Sequence, residues 1–321
     1  MESWKQLGRW ISEHMVFIVP LCIVVGVLVP DLLIPLRPAI PTLFAIVTFQ
    51  NALGNNLQSL RDTMRHPAPF LVTGVLVMIV APILVRLIGG ALFGGDPDIL
   101  AGLVLEACVP VGATTVMWSS VYGGNVALAL AVMLVTTTLA PFSIPATLSL
   151  LVGTSVQVDA LGMIADMLYM VGVPALLGVM VNELSHGWGK ERLSPAMAPL
   201  SSVLVPIIIA TNATGISEFM LNLTPKLTFV AIFVGCLTLV STQVGLLVAR
   251  LMRQPRDVQV TMTFDCGIRN ISAGAVLASA YLPPGSLFPV MIGTLFQQFI
   301  AAIMGHVLRR QAEEASPEED A

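Results

Sequence analysis

A chain of 321 residues, 56% of them hydrophobic and 11% charged, with a mean hydropathy of +0.88, is too apolar for a soluble domain. That composition excludes soluble enzymes and predicts an integral membrane protein. The formal net charge of −4 lies mostly in the acidic run from Glu313 to Asp320, and the basic residues are scattered, so no nucleic-acid surface is implied.

The chain opens with Lys5 and Arg9, then an apolar run from Met15 to Pro30 without a small-x-small cleavage pattern, which reads as an uncleaved first span. A hydrocarbon core of roughly 30 Å takes about 20 apolar residues per helix. Apolar runs bounded by charge, Gly or Pro fall at 15–30, 38–54, 68–92, 99–122, 125–151, 160–184, 197–214, 227–250, 257–281 and 286–308, predicting ten spans. With the N-terminus inside, the inner loops receive Lys5, Arg9, Arg61, Arg65, Lys190, Arg192, Arg250, Arg253, Arg256, Arg309 and Arg310, and the outer loops only Arg37 and Lys226. This asymmetry predicts a multi-pass protein of the inner (plasma) membrane with both termini cytoplasmic. Residues 311–321 are expected to form a disordered acidic tail. Arg86, near an outer end, is expected to snorkel. The four cysteines lie in apolar runs without metal or redox spacing, and neither a metal site nor a cofactor is expected.

Two spans are interrupted in related ways. Span four carries Pro110-Val111-Gly112-Ala113-Thr114-Thr115, and span nine carries Asp265-Cys266-Gly267-Ile268-Arg269-Asn270. Pro lacks an amide donor and Gly weakens a helix, so Pro110, Gly112 and Gly267 free backbone groups that hydrocarbon cannot satisfy. Such backbone must be buried in protein or line a cavity. A five-span offset reverses orientation between the paired helices, which predicts two inverted repeats, residues 1–153 and 154–310, whose broken helices meet near the midplane. That is the architecture of a secondary transporter.

At these residues the chain resembles the bile acid:sodium symporter family, within the bile/arsenite/riboflavin transporter superfamily. The resemblance rests on Ala107 to Thr115, Gly124-Asn125-Val126-Ala127-Leu128-Ala129, the Pro141 region and Asp265 to Asn270, and extends over nearly the whole chain. It implies an all-α membrane fold of ten helices, with spans 1, 2, 6 and 7 as a panel and spans 3–5 and 8–10 as a core. It further implies that spans four and nine cross at their unwound centres, and that organic anions bind between core and panel, coupled to two sodium ions. Several positions depart from the family. Its Ser-Asn sodium ligands on span four read Thr115 and Val116, its Ser and Thr on span five read Ala129 and Met133, and its Glu on span nine reads Asp265. Its Gln four residues later reads Arg269, and a Gln on span three reads Val77. Val, Ala, Met and Arg side chains supply no oxygen to a hard cation, so both sodium sites read as dismantled.

A guanidinium four residues after a carboxylate can form an i,i+4 pair where the backbone is helical. Arg269 is therefore expected to replace the ions' charge, pairing with Asp265 and with Glu106, one turn before the first break. Thr114, Thr115 and Asn270 at the crossing, Gln297 and Gln298 on span ten, and Asn212 on span seven are expected to face substrate. Gln50, Asn51 and the run Thr136-Thr137-Thr138 are further candidates for cavity lining; Asp166 could face the cavity or the outer boundary. The resulting reading is a sodium-independent secondary transporter of small organic anions, carboxylates or sulfonates, in a lipid bilayer, with protons as a candidate coupling ion. The alternatives are a sodium symporter with rearranged ligands and a non-transporting membrane sensor or channel. No nucleophile, base and orienter, and no phosphate loop, mark an enzyme.

Overall fold

The computed structural model describes residues 2–54, 61, 63, 65, 67–153 and 159–315. Every regular element among them is helical. In chain order they are α1 (Glu2–Glu13), α2 (Met15–Leu28), α3 (Pro30–Leu53, with a 3₁₀ stretch at Ile34–Ala39), α4 (Pro67–Phe93) and α5 (Pro97–Cys108). There follow α6 (Thr114–Val121), α7 (Val126–Leu151), α8 (Ala160–Leu184), α9 (Gly189–Leu221), α10 (Pro225–Leu251), α11 (Arg256–Gly267), α12 (Ile271–Tyr281) and α13 (Leu287–Ala315). Seven of these helical stretches, α3, α4, α7 to α10 and the last, are long and apolar enough to cross a membrane.

The helix starts follow local chemistry. Prolines 30, 67, 97 and 225 occupy first turns, where the missing N–H has no intrahelical role. Side-chain oxygens of Asp96, Asn125, Thr224 and Asn270 accept from the amides of Ile99, Leu128, Leu227 and Ala273, capping α5, α7, α10 and α12. Pro35 and Pro38 fall in the 3₁₀ stretch, so α3 begins well before the expected residue 38. At the other end α13 runs to Ala315, through part of the segment expected to be disordered, because Gln, Ala and Glu are good helix formers. Residues 316–321 lie outside the described residues.

Packing sorts the helices. α2 packs on α9 and α3 on α8 and α9; α4 packs on α5, α5 on α13, and α10 on α11 and α13. From Ile99 to Cys108 every residue of α5 is buried, Glu106 included, as expected of a helix apolar all round and enclosed by others. The half-buried Arg86 donates from its Nε to the Leu151 carbonyl at 2.6 Å, satisfying a free acceptor at the C-terminus of α7.

Asp96 also forms an ion pair with Lys226, joining the starts of α5 and α10. Burial acts to raise the Asp96 carboxyl, but the Lys226 ammonium and the Ile99 amide outweigh it and hold the group below its ordinary value. A depressed native value means stability present at neutral pH and lost as pH falls below about 4. Asp96→Ala should cost about 1 kcal/mol through the lost cap. Thermal unfolding at pH 7 should register that cost, and the gap from wild type should narrow on acidification.

Candidate functional site

The two interruptions are one structure. α5 ends at Val109, whose extended backbone (φ −64°, ψ 151°) turns the chain out of the helix, and Pro110 cannot donate back into it. α11 ends at Gly267, followed by extended Ile268 (φ −110°, ψ 119°). The freed groups then pair with each other: Gly112 N–H donates to Ile268 O at 3.1 Å and Asn270 N–H to Pro110 O at 2.8 Å, around an antiparallel bridge between Val111 and Arg269. Two neighbouring side chains complete the satisfaction of the backbone. Val111 N–H donates to Thr136 Oγ1 at 3.3 Å, and Arg269 N–H to Gln297 Oε1 at 3.1 Å. Irregular backbone deep in an apolar protein is tolerable only with such pairing. The approach is close: a Cβ on Gly112 would sit 2.8 Å from Arg269 O, and one on Gly267 2.0 Å from Thr242 Cγ2.

The helix break overturns the expected Asp265–Arg269 pair. With Ile268 extended, residues 265 and 269 no longer share a helical face, and no guanidinium nitrogen lies within 4.0 Å of an Asp265 or Glu106 oxygen. Arg269 reaches α4 instead, where its Nη1 donates to Val77 O at 3.5 Å. That carbonyl is free for a local reason. Residues Leu76–Val80 form a π-turn in which Ala81 N–H bonds Leu76 O, and the next donor in that register would be Pro82, which has none. Glu106 and Arg269 do interact electrostatically, and both line a void of about 10 Å³ together with Thr238 and Ser241. Asp265 is fully buried and also interacts with the Arg269 charge, more weakly than Glu106 does. The Thr115 hydroxyl donates to Gly112 O at 2.9 Å and also stands beside the Asp265 carboxylate, whose oxygens meet no other donor.

The crossing forms one wall of a cavity of about 570 Å³. Of the residues singled out from sequence, Pro110, Gly112, Thr114, Arg269, Asn270, Gln297 and Gln298 line it, as do Gln50, Asn51 and Thr137. Thr115, Glu106, Asp265, Gly267 and Asn212 do not; all are buried elsewhere. Thr138 bonds back to Leu134 O within α7, as a hydroxyl in an apolar helix commonly does. Trp118 also lines the cavity: its Nε1 donates to Gln298 Oε1 at 3.0 Å, and Gln298 Nε2 donates to Thr114 Oγ1 at 3.4 Å. The signal was present in the spacing, since Trp118 stands one turn after Thr114 on the same helix face. Ser201 and Ser202 of α9, with Thr48, Ser272 and Thr294, complete the polar lining and were missed, because serines and threonines in an apolar helix carry no directional signal.

Both α6 and α12 begin at this wall. Among the described residues no three His, Cys, Asp or Glu side chains come together as metal ligands.

Comparison with known proteins agrees with this construction. Residues 41–223 match the model of the Sodium Bile acid symporter family. The chain is 35% identical over 296 residues to "Uncharacterized protein YbaS" of Bacillus subtilis (strain 168), covering 92% of this chain and 97% of that protein. It is 26% identical over 218 residues to "Probable sodium/metabolite cotransporter BASS1, chloroplastic" of Arabidopsis thaliana, covering 67% of this chain and 53% of that one. It is 23% identical over 283 residues to "Uncharacterized sodium-dependent transporter YocS" of Bacillus subtilis (strain 168), covering 88% and 86%. With its paired helix breaks and these relatives, the chain belongs to the sodium bile acid symporter family and is a multi-pass membrane transporter, not an enzyme.

Proposed function

We propose that the chain is a sodium-independent secondary transporter of small organic anions, carboxylates or sulfonates, working by alternating access. The observation that carries this reading is the pair of helix N-termini, α6 and α12, meeting beside Arg269 at the wall of the 570 Å³ cavity. Helix N-termini present unsatisfied amides and partial positive charge, which favour an anion. A guanidinium adds a charge that no relevant pH removes. Apolar side chains supply most of the remaining wall, which suits an amphipathic ion.

The broken stretches α5–α6 and α11–α12, together with α2 and the seven long helices, make ten crossings in this reading. Residues 1–153 and 154–310 are the inverted repeats; α2, α3, α8 and α9 form the panel, and the remaining spanning helices the core. Both termini lie on the cytoplasmic side of the plasma membrane, as the basic loops favour.

Sodium does not fit the positions where the family would hold it. Val77, Val116, Ala129 and Met133 offer no side-chain oxygen, and the Arg269 guanidinium enters the same region. One observation favours a second reading, a symporter with rearranged ligands: the Asp265 carboxylate is fully buried with only the Thr115 hydroxyl beside it as a donor. The deciding experiment is uptake of labelled taurocholate and of short carboxylates into proteoliposomes, in sodium and in choline at equal ionic strength, with thermal unfolding in the same salts. Equal uptake and equal stability in both salts are expected. A saturable stabilisation by sodium with sodium-dependent uptake would establish the symporter, and absence of uptake in either salt would reject transport of these anions.

A further inference from the structure

Met163, Ile216 and Phe288 are buried and none of them lines the cavity, so the face beside them is closed by apolar side chains. Among the described residues, a polar contact spans that face between α8 and α12: the Tyr281 hydroxyl, on the last residue of α12, donates to Asp166 Oδ2 of α8. Asp166 is exposed and Tyr281 half-buried. α8 and α12 are not a closely packed pair. By contrast, the neighbouring Thr42–Tyr169 contact, at 3.0 Å, lies within the packed pair α3 and α8.

A second feature lies on the same side. Thr211 Oγ1 and Asn212 Nδ2, at the C-terminal end of α9, are buried without hydrogen-bond partners and do not line the open cavity. Unsatisfied polar atoms in a closed protein are costly, and the cost vanishes where water reaches them.

We propose that Tyr281 and Asp166 form a latch holding this face closed, and that its release opens an outer approach which hydrates Thr211 and Asn212. The inference rests on the alternating-access reading above. It gives Asn212 a role the sequence suggested but this closed face conceals: it meets water or substrate only when the latch is open. The latch contributes little in itself because Asp166 is exposed; it tilts a balance between two closures.

The test places a reporter behind the latch, Thr211→Cys, and measures its modification by a membrane-impermeant maleimide applied to the Asp166 face of sealed vesicles. Tyr281→Phe, which removes one oxygen, should speed modification about fivefold, the size of one modest hydrogen bond. Asp166→Ala should do the same, and the double variant should be no faster than either single one. Tyr169→Phe should leave the rate unchanged, since its partner moves with it. A wild-type rate in Tyr281→Phe would overturn the latch, as would equal acceleration by Tyr169→Phe or multiplying effects in the double variant. The readout needs no substrate. Loss of anion uptake would therefore reject the transport reading while leaving the latch measurable.

Discussion

Arg269→Gln is expected to abolish anion uptake in sodium as well as in choline. The substitution restores the residue the family resemblance implies at this position, yet the oxygen ligands on the neighbouring helices remain absent, because positions 116, 129 and 133 are Val, Ala and Met. Removing the guanidinium also leaves Glu106 buried without its opposing charge. Stranding one member of a buried pair costs about 3–5 kcal/mol when the two are in contact. Here the low end applies, since the charges stand more than 4.0 Å apart. Thermal unfolding should fall by several degrees. Arg269→Lys separates charge from shape: it should retain most of the stability but bind anions more weakly, because an ammonium lacks the planar fork. Normal uptake by Arg269→Gln would refute the built-in cation.

Gly112→Ala tests the crossing itself. The added Cβ would lie 2.8 Å from Arg269 O and 3.2 Å from Ile268 Cγ2, and a backbone oxygen cannot rotate away as a flexible side chain can. The two strands must separate, weakening the 3.1 Å bond from Gly112 N–H to Ile268 O and shifting the start of α6. Overpacking of this kind costs about 1–3 kcal/mol. The expected result is a protein that inserts and folds, somewhat less stable, with uptake reduced at least tenfold (on the order of the factor a misplaced binding group brings). Gly74→Ala is the matched control, since a Cβ there meets nothing within 4 Å; helix propensity alone should make it neutral or slightly stabilising.

The candidate site was legible in sequence where the signal was local. Pro110, Gly112 and Gly267 stand together in the two interrupted spans, although Pro141, Pro145, Pro199 and Pro206 sit inside continuous helices, and Thr114, Asn270, Gln297 and Gln298 are polar residues that an apolar span would not otherwise carry. Pro110, Gly112 and these four polar residues line the cavity, and Gly267 does not. Asn270 performs a second local task, capping α12 through the Ala273 amide. The helix starts were equally local, written in Pro225, Asn125 and Thr224.

Partnership was not local, and there the sequence misled. A carboxylate four residues before a guanidinium is a pair only if the helix between them is continuous, and Gly267 and Ile268 end it. Arg269 then takes an acceptor nearly two hundred residues earlier in the chain, the Val77 carbonyl, which is free because Pro82 has no amide to give it. The sequence by itself determined that this protein lives in a membrane, where its helices begin and where two of them break, because apolar runs, prolines and glycines act through their own backbone. Only the tertiary structure decided which charges meet, which polar groups reach the cavity and which are shut away from it. A buried donor takes whichever acceptor packing brings within reach, and packing joins residues that the chain keeps far apart.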